Sequence, residues 1–360
     1  AARQTGAMTA PVAPLALPEL THERVEFVTG PRSGLPIGIA VHSTALGPGL
    51  GGCRLWHYGH WGEALGDVMR LSAAMTLKNS LAGLDYGGGK AVIALGEGDA
   101  ADADRRRDAL LDLGDLVETF GGTYITTEDV GATEHDMVVV RERTRHVVGL
   151  PATLGGAGEP AEGTALGVHS SLEVVLERLW DSPAVAGRSF VISGLGQVGS
   201  RLARQLAAGG ATLFVTDIVD KRALAAELGA TWIEPEEALT TPADILVPAG
   251  LGGVLTAEAI DSLPVRAVVG PANNPLAERE GATLLEERGI LYAPDFLVNA
   301  GGVIHLALIA EGATSAALGA RLHAIGDTLA RVLDAAESEG ITPLAAAEAI
   351  AFDRVSAAGR

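Results

Sequence analysis

The run SFVISGLGQVGSRLARQLAAGGATLFVTD, Ser189–Asp217, decides how the second half of this chain folds. It opens on an apolar strand and turns through Gly194, Gly196 and Gly199 in the spacing G-x-G-x-x-G. It then enters an apolar-periodic helix at Gln197 and Val198 and returns as a strand ending at Asp217. The first two glycines let backbone approach a pyrophosphate, and the helix N-terminus behind them offers unpaired N–H groups and a positive dipole end. Asp217 stands 18 residues past Gly199, where a carboxylate accepts hydrogen bonds from adenosine ribose hydroxyls. Glycines that merely ease helix packing are the other reading of the triplet. Strand, glycines, helix, strand and acid in that order point instead to a dinucleotide site. Its carboxylate repels a 2′-phosphate and so favours NAD over NADP, a preference that Lys221 and Arg222 weaken slightly if they leave solvent for the cofactor.

Around this unit the pattern keeps alternating, with a helix over 165–180 before it and a helix over 220–229 and the strands ADILVPA and RAVVGPA after it. That order predicts a doubly wound parallel sheet. Two Ala-rich amphipathic helices follow, over about 311–335 and 343–358. Upstream, the Gly- and Pro-dense segment GLPATLGGAGEPAEGT, 149–164, marks a domain junction. The first half mixes both element types. RVEFVTGPRSGLPIGIAVHS, from Arg24, reads as a hairpin. EALGDVMRLSAAMTLKNSLAGL is an amphipathic helix ending near Gly83. KAVIAL is a short buried strand, 104–119 a helix, TYITTEDVG a strand running into a loop, and EHDMVVVRERT helical. An α/β protein of two domains is expected: 1–150, then a Rossmann-type domain over 151–335, then a C-terminal helix, 336–360, returning to the first domain, with a cleft between the two.

Composition narrows the function. A chain of 360 residues, 48% hydrophobic and 20% charged, suits two buried cores. A formal net charge of -19 argues against nucleic acid, whose phosphates need clustered Lys and Arg. The single cysteine, Cys53, forms no intrachain disulfide or Cys-based zinc site and fits a reducing compartment. Without a run of 18 apolar residues or the basic and apolar regions of a signal peptide, a cytoplasmic protein with no membrane partner is expected. Residues 1–20 read as a loose lead-in, with Met8 available as a natural start.

The chemistry points to MTLKNSLAGLDYGGGKAVI, Met75–Ile93. Lys78 and Lys90 lie 12 residues apart, and the second follows Gly87, Gly88 and Gly89. Three glycines before a buried strand are costly in entropy and leave room for a ligand against the backbone. Two ammonium groups converging on one pocket repel, so one gives up its proton near neutral pH and serves as a base, while the other holds a carboxylate.

LGPGLGGCR, MTLKNSLAGLDYGGGK, TTEDVG, GGAGEP, GLGQVG, GPANNPLAE and YAPDFLVNAGGVIHL occur in this order. In them the chain resembles the Glu/Leu/Phe/Val dehydrogenase family from about Leu20 to its C-terminus, and within it the short leucine, valine and phenylalanine enzymes. The resemblance implies reversible, NAD-dependent oxidative deamination of an apolar L-amino acid to its 2-oxo acid and ammonia, without a metal. It implies that Lys78 pairs with the substrate carboxylate, that Lys90 is the general base activating water, and that Asp129 moves a proton to and from the amino nitrogen, with the neighbouring Glu128 as the alternative. Asn273 would orient the carboxylate, Gly51 and Gly52 would line the substrate loop, and Leu50, Thr127, Val303 and Leu306 would form the side-chain pocket. Thr164 and Asn299 would touch the nicotinamide end. Homo-oligomers through the first domain are implied, with the early hairpin supplying edge strands. Cys53, where relatives carry Thr, and VPAGLGG, in place of a Pro-Cys-Ala sequence, depart from the pattern and bear on packing and fine specificity.

The inferred pocket residues include no cation, which argues against an acidic side chain. Val303 favours leucine or valine, whereas IHL at 304–306 looks phenylalanine-like, and one methylene in an apolar pocket discriminates by only about 1 to 3 kcal/mol. Two other classes share the nucleotide unit. A 2-hydroxy-acid dehydrogenase needs a His-carboxylate pair, with His135 and His169 available by residue type, and a non-catalytic amino-acid or nucleotide sensor needs none.

Overall fold

A computed structural model describes residues 19–96, 103–158 and 160–359, so the expected lead-in lies outside the described residues up to residue 18. The first half builds β1 (Arg24–Thr29), β2 (Pro36–Ser43), β3 (Gly49–His57), α1 (Trp61–Leu81), β4 (Gly87–Leu95), α2 (Ala103–Thr119), β5 (Tyr124–Glu128) and α3 (Glu134–Arg141). Its sheet has the order β1-β2-β4-β3-β5. β1 and β2 form the expected antiparallel hairpin, β2 is antiparallel to β4, and β3 runs parallel to β4 and β5.

Strand parity sets the layers. On β4, Val92 and Ala94 meet Ala64, Val68 and Met69 of α1. Ala91 and Ile93 enter the opposite core with Leu110, Leu113 and Val117 of α2 and Met137 and Val140 of α3. Because side chains alternate along a strand, Lys90 shares the α1 face with Val92. Both lysines of the motif thereby come to one side of the sheet.

Gly51 and Gly52, expected on a substrate loop, lie instead within the strand β3. Glycines are poor strand formers in isolation, but here β3 lies between β4 and β5, and its glycines serve close approach. A Cβ on Gly52 would stand 2.3 Å from the Glu128 carbonyl oxygen and 2.8 Å from Asp129 Cβ.

The second half contains α4 (Ala161–Trp180), β6 (Ser189–Ser193), α5 (Gln197–Ala208), β7 (Thr212–Thr216), α6 (Arg222–Glu227), β8 (Thr231–Trp232) and β9 (Ile245–Pro248). Then come α7 (Ala257–Ser262), β10 (Ala267–Val268), α8 (Gly281–Glu287), β11 (Leu291–Tyr292), α9 (Asp295–Val298), α10 (Gly301–Ala310), α11 (Ser315–Glu339) and α12 (Pro343–Ala358). The sheet β11-β10-β9-β6-β7-β8 is parallel throughout. Phe190, Ile192 and Val247 face a core with α4, α5 and α11, and Val191, Leu246 and Val268 face one with α7 and α8. This is the expected doubly wound sheet, whose order reverses between β6 and β9, the place where such sheets bind ligands.

The C-terminal α12 packs on α1. Ser80 Oγ donates to the Ala351 carbonyl at 2.9 Å, and Arg354 donates to the Ser80 and Leu84 carbonyls at 3.0 and 2.8 Å. Among the described residues no helix is long and apolar enough to cross a membrane.

Candidate active site

α1 and β4 approach closely because Gly88 has no side chain: a Cβ there would lie 2.0 Å from Thr76 Oγ1 and 2.4 Å from the Ser72 carbonyl. That contact sets Lys78, two residues beyond Thr76 on α1, above Lys90. Both line a cleft of about 350 Å³ whose far wall comes from the second half through Asn273, Asp295, Asn299, Val303 and Leu306.

Lys90 is 5% exposed, and its Nζ lies 2.9 Å from Asp129 Oδ2, at the end of β5. Burial pushes the Asp129 carboxyl up, but the Lys90 and Arg54 charges outweigh it and hold the group down at about 2. Asp129 is therefore anionic at neutral pH. Burial lowers Lys78, to about 8; the Lys90 charge adds to this and Asp295 and Asp129 oppose it. Lys78 Nζ donates to Asn273 Oδ1 at 3.3 Å, and the same oxygen accepts from Asn299 Nδ2 at 2.9 Å. A carboxylate entering between Lys78 and Asn273 would favour the charged form of the lysine.

Gly51, Gly52, Thr127, Val303, Leu306, Thr164 and Asn299 all line the cleft, as expected from the sequence. Leu50 does not. Its side chain is 2% exposed in the core cluster with Leu81 and Leu84. It shares the α1 face with Gly52 but lies one pleat earlier, under the C-terminal end of α1. Glu128 also lines the cleft; burial raises its carboxyl against the opposing hydrogen bond from Thr127 Oγ1, at 2.5 Å. His305 turns away, its Nε2 3.0 Å from the Ala157 carbonyl. His135 and His169 lie outside the cleft lining, beside Glu134 and Glu173.

Sequence reasoning passed over Arg54, whose Nε lies 3.2 Å from Asp129 Oδ2, although it closes the landmark LGPGLGGCR. It also passed over Asp295, which sits beside Lys78 and receives the Asn274 N–H at 2.7 Å.

The glycine-rich turn lies between β6 and α5. Gly194 has φ +112, and a Cβ there would stand 2.6 Å from the Ala249 carbonyl carbon. A Cβ on Gly199 would stand 2.0 Å from the Gly194 carbonyl oxygen, whereas one on Gly196 would meet nothing within 4 Å. Open space thus faces the N-terminus of α5, which has no side-chain cap. Gln197 accepts from Arg201 at 2.8 Å, so the contribution of Gln197 and Val198 to a ligand there is their backbone N–H groups. Asp217 Oδ2 accepts from the Leu195 N–H at 2.6 Å and Oδ1 from the Val219 N–H at 2.8 Å. The carboxylate therefore also fixes the glycine loop, and each oxygen keeps a lone pair for a ribose hydroxyl. Asn299 Oδ1 is buried without a partner. It fits an amide donor such as the nicotinamide carboxamide.

Residues 24–146 match the Glu/Leu/Phe/Val dehydrogenase dimerisation domain, and residues 215–360 match the Glutamate/Leucine/Phenylalanine/Valine dehydrogenase domain. The chain belongs to the Glu/Leu/Phe/Val dehydrogenase family. It is 38% identical to a phenylalanine dehydrogenase of Bacillus thermotolerans over 94% of this chain and 90% of that protein. It is 40% identical to a valine dehydrogenase of Streptomyces virginiae over 93% and 94%. Its fold is similar to that of an L-tryptophan dehydrogenase from Nostoc punctiforme, with a TM-score of 0.80 and 33% identity over 94% of this chain and 96% of that one. It is an amino-acid dehydrogenase, an oxidoreductase of small-molecule substrates whose family works with a nicotinamide cofactor.

Proposed function

We propose that this dehydrogenase catalyses the reversible, NAD-dependent oxidative deamination of an apolar L-amino acid of the leucine, valine or phenylalanine class. The observation that carries the proposal is the buried Lys90–Asp129 pair, 2.9 Å apart, facing Lys78 in one cleft. Lys78 and Asn273 hold the substrate carboxylate. The anionic Asp129 takes a proton from the substrate ammonium, so that the amine is neutral. When bound, the nicotinamide takes hydride from Cα of the substrate. Lys90 removes a proton from the water that attacks the resulting substrate iminium, Asp129 returns a proton to the nitrogen that leaves as ammonia, and the hydroxyl proton of the water adduct passes to solvent as the 2-oxo group forms. Gly194, Gly196, Gly199 and the α5 N-terminus would hold the pyrophosphate, Asp217 the ribose, and Thr164 and Asn299 the nicotinamide.

Leu71, Ala74, Val130, Val303 and Leu306 supply apolar walls. Arg54 is taken up by Asp129 and Asp67, and Glu128 adds a carboxyl group to the lining, so an acidic substrate side chain meets no free cation there. With His305 turned away, Val303 and Leu306 set the pocket from α10. NAD is favoured over NADP because Arg222 is drawn to Glu234, at 2.5 Å, and over the Trp232 ring, 4.9 Å from its centroid. We place a homo-oligomeric contact on the β1 edge of the first sheet, where Val28 is exposed and the exposed Trp61 ring lies 5.8 Å from that of Phe27. The buried free thiol of Cys53 suits the cytoplasm.

Initial rates with leucine, valine, phenylalanine, tryptophan and glutamate, each with NAD and NADP, test the assignment. NADH formation from at least one apolar amino acid, with glutamate and NADP far behind, is expected. Activity with glutamate alone, or with none of the five, would overturn it.

A further inference from the structure

The carboxylate of Asp129 is held asymmetrically. Lys90 Nζ at 2.9 Å and Arg54 Nε at 3.2 Å both meet Oδ2, and among the described residues Oδ1 has no hydrogen-bond partner, nor is it a buried orphan. Arg54 follows Gly52 by two positions on β3, so both face α1. There Arg54 NH1 meets Asp67 Oδ2 at 3.0 Å. Asp67 is itself fixed, with Tyr58 Oη donating to Oδ2 at 2.8 Å and Arg70 to Oδ1 at 2.6 Å. Tyr58, Asp67, Arg54 and Asp129 thus form one chain of hydrogen bonds from the surface of α1 to the cleft.

We propose that Arg54, braced by Asp67 and Tyr58, is a positioning residue that pins Asp129 through Oδ2 and leaves Oδ1 turned to the cleft as the oxygen that exchanges a proton with the substrate nitrogen. The inference rests on the proposed role of Asp129. Charge-assisted bonds are roughly twice as strong as neutral ones, so turning the carboxylate plane out of this orientation would break two strong contacts at once.

Arg54 has a second effect that Lys90 cannot supply. In the proposed cycle Lys90 spends part of each turnover neutral, whereas a guanidinium stays charged throughout. The groups facing Asp129 are Lys90 from β4, Arg54 and the buried thiol of Cys53 from β3, Lys78 and Asp67 from α1, Glu128 beside it, and Asp295 across the cleft. When Lys90 is neutral, Arg54 is the cation left in direct contact with Asp129 among the described residues, and it favours the ionised carboxylate.

The test compares Arg54→Gln, Arg54→Lys, Asp67→Asn and Asp129→Asn in the full-length enzyme, measuring kcat and KM for the best amino acid across pH, with NADH binding as a check of folding. For Arg54→Gln we expect kcat to fall at least tenfold, with NADH affinity and amino-acid KM within about threefold of wild type. The acid-side half-point of kcat should move up, because without the guanidinium the Asp129 charge holds the protons of the coupled cleft groups more tightly. Arg54→Lys should restore the half-point and part of the rate, and Asp67→Asn should shift the profile in the same direction by less. A loss that is uniform across pH, or wild-type kcat in Arg54→Gln, overturns the positioning role while Asp129→Asn remains inactive. Near wild-type kcat in Asp129→Asn instead overturns the proposed role of Asp129 itself.

Discussion

Lys78 and Lys90 were legible as a pair from the three glycines between them, but their surroundings divide the work. Lys78 lines the cleft with its charge disfavoured by burial and by Lys90, which brings it to about 8. A bound carboxylate raises it again, so the ion pair contributes fully to binding below that value and is lost as pH rises through the value of the complex. KM for a 2-oxo acid is therefore expected to climb above about pH 8, and Lys78→Ala to raise KM strongly and flatten that dependence, as initial rates against pH will show. Asp217 illustrates what was not legible. Spacing is the basis of its proposed ribose role, but its grip on the Leu195 and Val219 N–H groups depends on the three-dimensional path of the loop.

At the scale of elements, long strands and helices with clear periods were readable, and the exceptions have physical causes. β8, β10 and β11 are two residues each, too short to show a period, although β10 could be placed through its apolar surroundings. α10, GGVIHLALIA, is apolar nearly all round and has no amphipathic signature to find. β3 was hidden by glycines whose purpose is proximity. Gly52→Ala sets a methyl group 2.3 Å from the Glu128 carbonyl oxygen, in a strand paired on both sides. We expect it to displace Asp129 and lower kcat about a hundredfold, since a misplacement of about 1 Å costs that much, while NADH affinity stays unchanged. Wild-type kcat in that variant would show that Asp129 tolerates movement.

Across the whole molecule, α12 ties the chain's end to the base of α1, the helix that carries Lys78. Arg354 makes two hydrogen bonds to backbone carbonyls there, but its partner Asp85 is 92% exposed. Bonds from charged groups to the backbone contribute about 1.5–3 kcal/mol each, less where solvent reaches them, and exposed ion pairs about 0–1 kcal/mol. Arg354→Met should therefore destabilise by roughly 1–3 kcal/mol and Asp85→Asn by well under about 1 kcal/mol in urea unfolding. An equal loss in both would assign the stability to the ion pair instead. Residues of both halves of the chain line the cleft above this joint, and the proposed mechanism takes the base and acid from the first and the nucleotide loop from the second. Stopped-flow formation of NADH from the best apolar amino acid, in wild type, Lys90→Ala and Asp129→Asn, tests that division most directly. Each variant should bind NADH normally yet form it about 10² to 10⁴ times more slowly; near wild-type formation by either would contradict the account.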